Sequence, residues 1–204
     1  MTTNDTFFQS KIEEYQEKFR EHQGSPQSLK WTDRVSAEAR YAQLVADIDF
    51  NGKTILDVGC GFGDISEFIS SKAGNYTYVG IDMVPEFIEV AKQRYPEHTF
   101  IEGNYFLEPL PDMHDIVMCC GALNSNMDDP IGFRKQAIQT MWQHANEAVV
   151  FNMAGRHPRP NYSAKSSIYY ADSLEILDFC TTLTTKVILR QHYSKKDFTI
   201  VLYK

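Results

Sequence analysis

Apolar residues recur near the start of the chain at spacings of four, three and four: Phe8, Ile12, Tyr15 and Phe19, with Lys, Glu and Gln between them. That is one stripe of an amphipathic helix. Gly24, Ser25 and Pro26 end it. A second helix is predicted to open after Thr32 or Asp33, both N-cap residues, and to reach about Ile48 with Val35, Ala39, Ala42 and Val45 on its buried side. Asn51-Gly52 then marks a turn.

From Lys53 onward the period switches repeatedly between strand and helix. Strands are predicted at Thr54–Val58, Tyr76–Ile81, His98–Ile101, Asp115–Cys120 and Glu147–Met153. Helices fall around Ile65, Phe68 and Ile69, over Pro85–Arg94, over Ile131–His144, and around Leu174, Leu177 and Cys180. Pro85 suits a first helical position, where a missing N–H costs nothing. The Asp115–Cys120 segment is apolar from Ile116 on, as in a strand covered on both faces. Two closing strands, Lys186–Tyr193 and Asp197–Tyr203, leave only Ser194, Lys195 and Lys196 between them, room for a hairpin and nothing more.

Strands alternating with helices imply an α/β fold: a doubly wound, mostly parallel sheet of seven strands with a C-terminal antiparallel hairpin, the antiparallel strand lying at an edge. Residues 1–50 are expected to form a helical cap and residues 51–204 the sheet domain. Composition narrows the class: 43% hydrophobic and 23% charged residues exclude a disordered chain. The apolar runs are far too short to span a bilayer, and the first residues carry no secretory pattern, so a cytoplasmic protein without membrane contact is expected. Cys60, Cys119, Cys120 and Cys180 form no C-x-x-C pair; they read as buried thiols, with no metal site. A net charge of −7 without a basic stripe makes nucleic acid a poor partner and a small molecule a good one. Nothing in the pattern bears on oligomeric state.

The first strand of this sheet domain ends in Asp57-Val58-Gly59-Cys60-Gly61-Phe62-Gly63-Asp64. Alternate glycines admit positive φ and let a ligand lie against the backbone. Acidic residues at both ends of the turn would repel a pyrophosphate, and the spacing is G-x-G-x-G; both features favour a ligand that lacks phosphate and carries positive charge. Asp82 ends the second strand, where a carboxylate can accept from both hydroxyls of a ribose.

These segments together resemble the class I S-adenosylmethionine-dependent methyltransferases, with their Rossmann-like fold. LDVGCGFGD from Leu56, VGID ending at Asp82, FIEGNY from Phe100 and HDIVMCCGALN from His114 match that family's successive motifs over roughly residues 51–154. The resemblance implies S-adenosylmethionine as cofactor, with S-adenosylhomocysteine as product. It implies cofactor contacts from Asp57, Gly59, Cys60, Gly61, Asp82, Met83, Asn104, Tyr105, Gly121 and Leu123. Among these, Gly59 and Gly61 would approach the methionine part, Asp82 the ribose and Met83 the adenine face. Asn104 would meet the adenine amino group, and Gly121 and Leu123 would flank the methionyl group. The lead-in WTDRVSAEARYAQL adds Arg40 as a partner for a carboxylate of cofactor or substrate.

The acceptor is not legible. The loop after the fourth strand reads CGALNSNMDD and lacks the N/D-P-P-Y of relatives that methylate flat amines; Cys119 and Cys120 lack the proline that precedes a pyrimidine nucleophile. Polar residues cluster after the fourth strand (Asn124, Asn126, Asp128, Asp129) and the fifth (Asn152, Arg156, His157, Arg159, Tyr162). His157 and Asn124 are the candidates for a catalytic role. Three readings stay open: a methyltransferase for a small-molecule acceptor, a non-catalytic domain that binds S-adenosylmethionine or supports a partner, and a nicotinamide-binding domain disfavoured by Asp57 and Asp64.

Overall fold

The structure is a computed structural model describing residues 3–159 and 161–204. The elements in order are helix α1 (Thr3–His22), a 3-10 turn (Pro26–Leu29), α2 (Arg34–Leu44), β1 (Lys53–Val58), α3 (Ile65–Ser70), β2 (Tyr76–Asp82), α4 (Pro85–Arg94) and β3 (Thr99–Glu102). They continue with β4 (His114–Cys120), a short 3-10 turn (Ala122–Asn124), α5 (Pro130–His144), β5 (Ala145–Ala154), α6 (Ser173–Leu183), β6 (Val187–Arg190) and β7 (Asp197–Tyr203).

The seven strands form one sheet in the order β3-β2-β1-β4-β5-β7-β6. Apolar residues alternate between its faces. Leu56, Val58, Val149, Phe151 and Met153 pack with Ile138, Met141 and Ile176 of α5 and α6. Ile55, Ile116, Met118 and Val150 pack with Tyr41, Leu44, Ile65 and Ile88 of α2, α3 and α4. Helices on both sides are what make these strands apolar without polar alternation. Burial of each such large side chain contributes roughly 1.5–3 kcal/mol before conformational entropy is counted.

The predicted hairpin needs one correction. β7 is antiparallel to both β5 and β6, but it lies between them, so the edge strand is β6 and the antiparallel strand is interior. β7 is buried along its length except at Tyr203, because β5 and β6 flank it. Also, β6 stops at Arg190, which lengthens the connection beyond the three residues expected.

A second correction concerns α2. Asp33 caps it through the Ser36 N–H (2.7 Å), but its buried residues are Ala37 and Tyr41, followed by Leu44 and Val45; Val35 is 74% exposed. Tyr41 and Leu44 bury far more apolar area than the alanine-rich stripe could, so they set the helix's rotation. Among the described residues no helix is long and apolar enough to cross a membrane.

α1 lies over the carboxyl ends of the strands. Tyr15 and Phe19 place their rings 5.8 and 6.1 Å from Phe87 of α4, and Phe19 also sits 6.3 Å from Phe62. Phe8 reaches Phe133 of α5 at 6.0 Å. Gln16 donates to the Glu86 carboxylate, and Arg94 donates to the Gly24 carbonyl and to Asp64. The helix that starts the chain thus bridges α4 and α5 across the place where β1 and β4 diverge, which is where open α/β sheets bind ligands.

Candidate active site

The floor of that crevice is the turn after β1. Gly59 and Gly61 have φ of +71° and +55°. A Cβ on Gly59 would lie 2.4 Å from the Ala122 Cβ, and one on Gly61 3.0 Å from Leu29, so this turn is tightly enclosed by the β4 loop and by the N-terminal segment. The Gly59 and Cys60 N–H groups donate to the Ile81 carbonyl, which fastens the turn to β2.

Asp82 sits at the centre of the arrangement. Its carboxylate accepts from the Gly61 N–H (2.9 Å) and the Val84 N–H (3.0 Å), so it pins the glycine turn and starts α4 at once. Burial pushes its pKa up to about 6, with the backbone donors opposing. Asp57 is 2% exposed and is pushed up to about 7, again chiefly by burial, although the Tyr78 hydroxyl donates to it at 2.6 Å. Its second oxygen is buried and has no partner. A third polar group completes the set: the Asn104 carbonyl oxygen accepts from the Phe106 N–H (3.1 Å), while its amide nitrogen is buried without a partner. The Phe106 bond identifies the nitrogen as the free end.

One cavity brings together Asp57, Gly59, Cys60, Gly61, Asp82, Met83, Asn104, Tyr105 and Gly121 of the expected cofactor residues. Tyr105 is held there by its hydroxyl on His144 Nδ1 at 2.9 Å. Burial raises the Cys60 and Cys120 thiols well above their ordinary range, so neither is a thiolate at neutral pH. Two expected residues are not on the cavity wall. Leu123 is fully buried in the core, and its neighbour Ala122 faces the turn instead. Arg40 spends its guanidinium on Asp197 (2.7 Å), on the Ser36 carbonyl and on the Trp31 ring. Of the catalytic candidates, Asn124 lines the cavity and accepts from the Ala154 N–H at 2.7 Å. His157 lies outside it, nearly half exposed, with Nδ1 3.2 Å from Asp172. Asn152 belongs to β5 itself and is buried against Tyr193 and the Phe198 carbonyl.

Apart from Asn124, the remaining walls were not singled out as site residues from the sequence. Phe7, Phe8, Lys11 and Tyr15 of α1, with Leu29, Lys30 and Trp31, form a roof; Phe106, Asn124, Ser125, Phe133, Ser167 and Ile168 form the far side. A signal for Lys11 existed: it stands three residues after Phe8 and four before Tyr15, on the same helical stripe.

Residues 55–147 match a family model described as a methyltransferase domain. The trans-aconitate 2-methyltransferase of Rhodopseudomonas palustris is 27% identical over 148 residues, which is 58% of this chain and 57% of that protein. That of Afipia carboxidovorans is 34% identical over 79 residues, 38% of this chain and 30% of its own. The chain therefore spans little more than half of the first of these relatives and under a third of the second. Among solved structures, the complex of DhpI with S-adenosylhomocysteine superposes with a TM-score of 0.67 at 16% identity, covering 95% of this chain and 94% of its own. A TehB-like S-adenosylmethionine-dependent methyltransferase from Corynebacterium glutamicum gives 0.62 at 17% identity, covering 96% and 99%. These two likenesses concern the fold. The domain match, the motif-bearing turn and the sheet order agree: residues 55–147 match a methyltransferase domain, and the chain has the fold of these two methyltransferase-like structures.

Proposed function

We propose that this protein transfers the methyl group of S-adenosylmethionine to a small-molecule acceptor held beneath α1. The observation that carries the reading is the roofed cavity whose wall brings Asp57, Asp82 and Asn104 together with the glycine turn, the buried Asp57 oxygen and Asn104 amide nitrogen being without partners. Each matches a part of the cofactor. Asp82 retains acceptor capacity beyond its two backbone bonds and suits a pair of ribose hydroxyls. The unpaired Asn104 amide nitrogen is a donor, so it suits a ring nitrogen of adenine, a refinement of the amino-group contact expected from the sequence. The unpaired Asp57 oxygen suits a cationic group on the methionyl end. Met83, also on the wall, supplies an apolar surface for the base.

When bound, the cofactor supplies an electrophilic methyl group on a sulfonium. The chain's own contribution is positioning and exclusion of water, which α1 and its aromatic residues are placed to provide. A small acceptor, rather than a nucleic acid, fits a chamber roofed by a helix on a protein of net charge −7. The test is incubation with methyl-labelled S-adenosylmethionine and a metabolite mixture. Label is expected in a small product, with S-adenosylhomocysteine formed above background; its absence under conditions where the cofactor binds would favour a non-catalytic binding domain.

A further inference from the structure

Beyond the cofactor residues, part of the cavity wall has an electrostatic character opposite to that of the whole molecule. The roof carries Lys11 and Lys30. Both ammonium groups converge on one carboxylate, Glu14, at 2.8 and 2.5 Å, so two positive charges share one negative. Glu14 is not itself on the cavity wall. Lys30 also lies 4.5 Å over the Tyr15 ring.

Arg134 of α5 is fully buried next to Ser125, a residue of the cavity wall. Its guanidinium donates to the Pro130 carbonyl (2.6 Å) and the Ser125 carbonyl (3.0 Å) and lies 4.6 Å from the Tyr169 ring. Among the described residues no carboxylate forms an ion pair with it, and its Nε has no partner. A buried guanidinium is ordinarily matched by an acid. Arg134 is not itself on the cavity wall, but Ser125, whose carbonyl accepts from it, and its neighbour Phe133 are. Arg159 lies 4.7 Å from the same Tyr169 ring, but both line a neighbouring pocket and not this cavity.

This part of the wall also lacks a general base. The two carboxylates on the cavity wall, Asp57 and Asp82, lie at the ends of β1 and β2 and belong to the cofactor side. No described histidine lines the cavity. Burial holds Tyr15 above its ordinary pKa, and Lys11 and Lys30 each donate to the Glu14 carboxylate. An alcohol or phenol would have to lose its proton to some base before or during transfer. A carboxylate needs none.

Resting on the methyltransferase reading above, we infer that the acceptor is a small carboxylic acid and that its carboxylate oxygen receives the methyl group, with Lys11 and Lys30 binding its anionic end. The carboxylate oxygen's lone pair forms the new O–CH3 bond as the S–CH3 bond breaks. The pair from that bond stays on sulfur, giving the thioether. No proton moves, and the ester is neutral where the acceptor carried one negative charge. A second carboxylate on the acceptor would keep the product bound to the same lysines.

The test uses the full chain with methyl-labelled S-adenosylmethionine and a defined mixture of aromatic, di- and tricarboxylic acids, each paired with its primary amide. Label is expected only in acids, in a form that mild base releases as methanol. Lys11→Gln combined with Lys30→Gln should raise KM for the accepted acid at least tenfold and leave the Kd for S-adenosylhomocysteine within twofold. Glu14→Gln should act in the opposite direction, lowering KM by freeing the pair. Base-stable label, label in the amides, or no labelled acid while S-adenosylhomocysteine binds would each overturn the inference. So would a lysine variant that weakens S-adenosylhomocysteine instead, since the lysines would then be holding the cofactor's own carboxylate. Failure of S-adenosylhomocysteine to bind the wild-type chain would sink the underlying methyltransferase reading and is distinguishable from all of these.

Discussion

Gly59→Ala isolates the geometric constraint on the cofactor turn. The position has φ of +71°, where an L-residue with a Cβ costs about 1–2 kcal/mol. The added Cβ would also lie 2.4 Å from the Ala122 Cβ, against about 3.5–4.0 Å for an ordinary carbon contact, so the β4 loop must retreat by more than an ångström. Overpacking of that kind costs about 1–3 kcal/mol. The expected total is about 2–5 kcal/mol, a large share of the roughly 5–15 kcal/mol available to a domain. The assay is urea unfolding followed by circular dichroism, with S-adenosylhomocysteine affinity by calorimetry in parallel. Adding Ala122→Gly should recover the overlap part, about 1–3 kcal/mol, and leave the φ part in place. A single variant within about 1 kcal/mol of wild type, or a double variant that recovers nothing, would refute the close approach of the two loops.

Three further outcomes follow from the same geometry. Asp57 and Asp82 have pKa values raised to about 7 and about 6, so the folded state holds their protons longer than the unfolded chain does; their contribution to stability is complete below about pH 4, is lost as pH rises through 7 and is flat above. Asp57→Asn should flatten that slope in apo-protein melting curves taken from pH 4 to 8, and an unchanged slope would remove Asp57 as its source. S-adenosylmethionine should bind more tightly as pH rises from 5 to 8, since its hydroxyls and cationic group favour the ionised carboxylates; pH-independent binding would contradict that. Limited proteolysis should cut between Gly24 and Gln27 in the free protein and be suppressed by S-adenosylhomocysteine, because Leu29, Lys30 and Trp31 line the cavity; cutting unaffected by ligand would detach the N-terminal segment from cofactor binding.

The features legible in the sequence were those set by local chemistry. The Gly59–Gly63 turn, the apolar β4 and β5 strands and the stripe of α1 each follow from a short pattern, and the turn locates the crevice because strand order and helix direction follow from alternation. Long-range partners were not legible. Arg40 looked available for a ligand carboxylate, yet Asp197 reaches it from β7, 157 residues away. His157 looked suited to a base, yet Asp172 at the start of α6 draws it outward. Leu123 and Ala122 exchanged places because a 3-10 turn, not an extended loop, follows β4 and rotates the larger side chain into the core. The interior position of β7 depends on which strand edge the hairpin docks against, and no single strand's pattern encodes that.

The most direct test of the cofactor site is a calorimetric titration of S-adenosylhomocysteine into the wild-type chain and into Asp82→Asn. The wild type should bind one equivalent and show no heat with NAD. The variant keeps the side-chain volume but exchanges a charged acceptor for a neutral one, and each hydrogen bond to a charged group is worth about 1.5–3 kcal/mol. Its affinity should fall by roughly 10- to 150-fold, with circular dichroism confirming a folded protein. Equal affinity of the two folded proteins, or binding of NAD in preference to S-adenosylhomocysteine, would contradict the assignment of Asp82 and of the cavity it anchors.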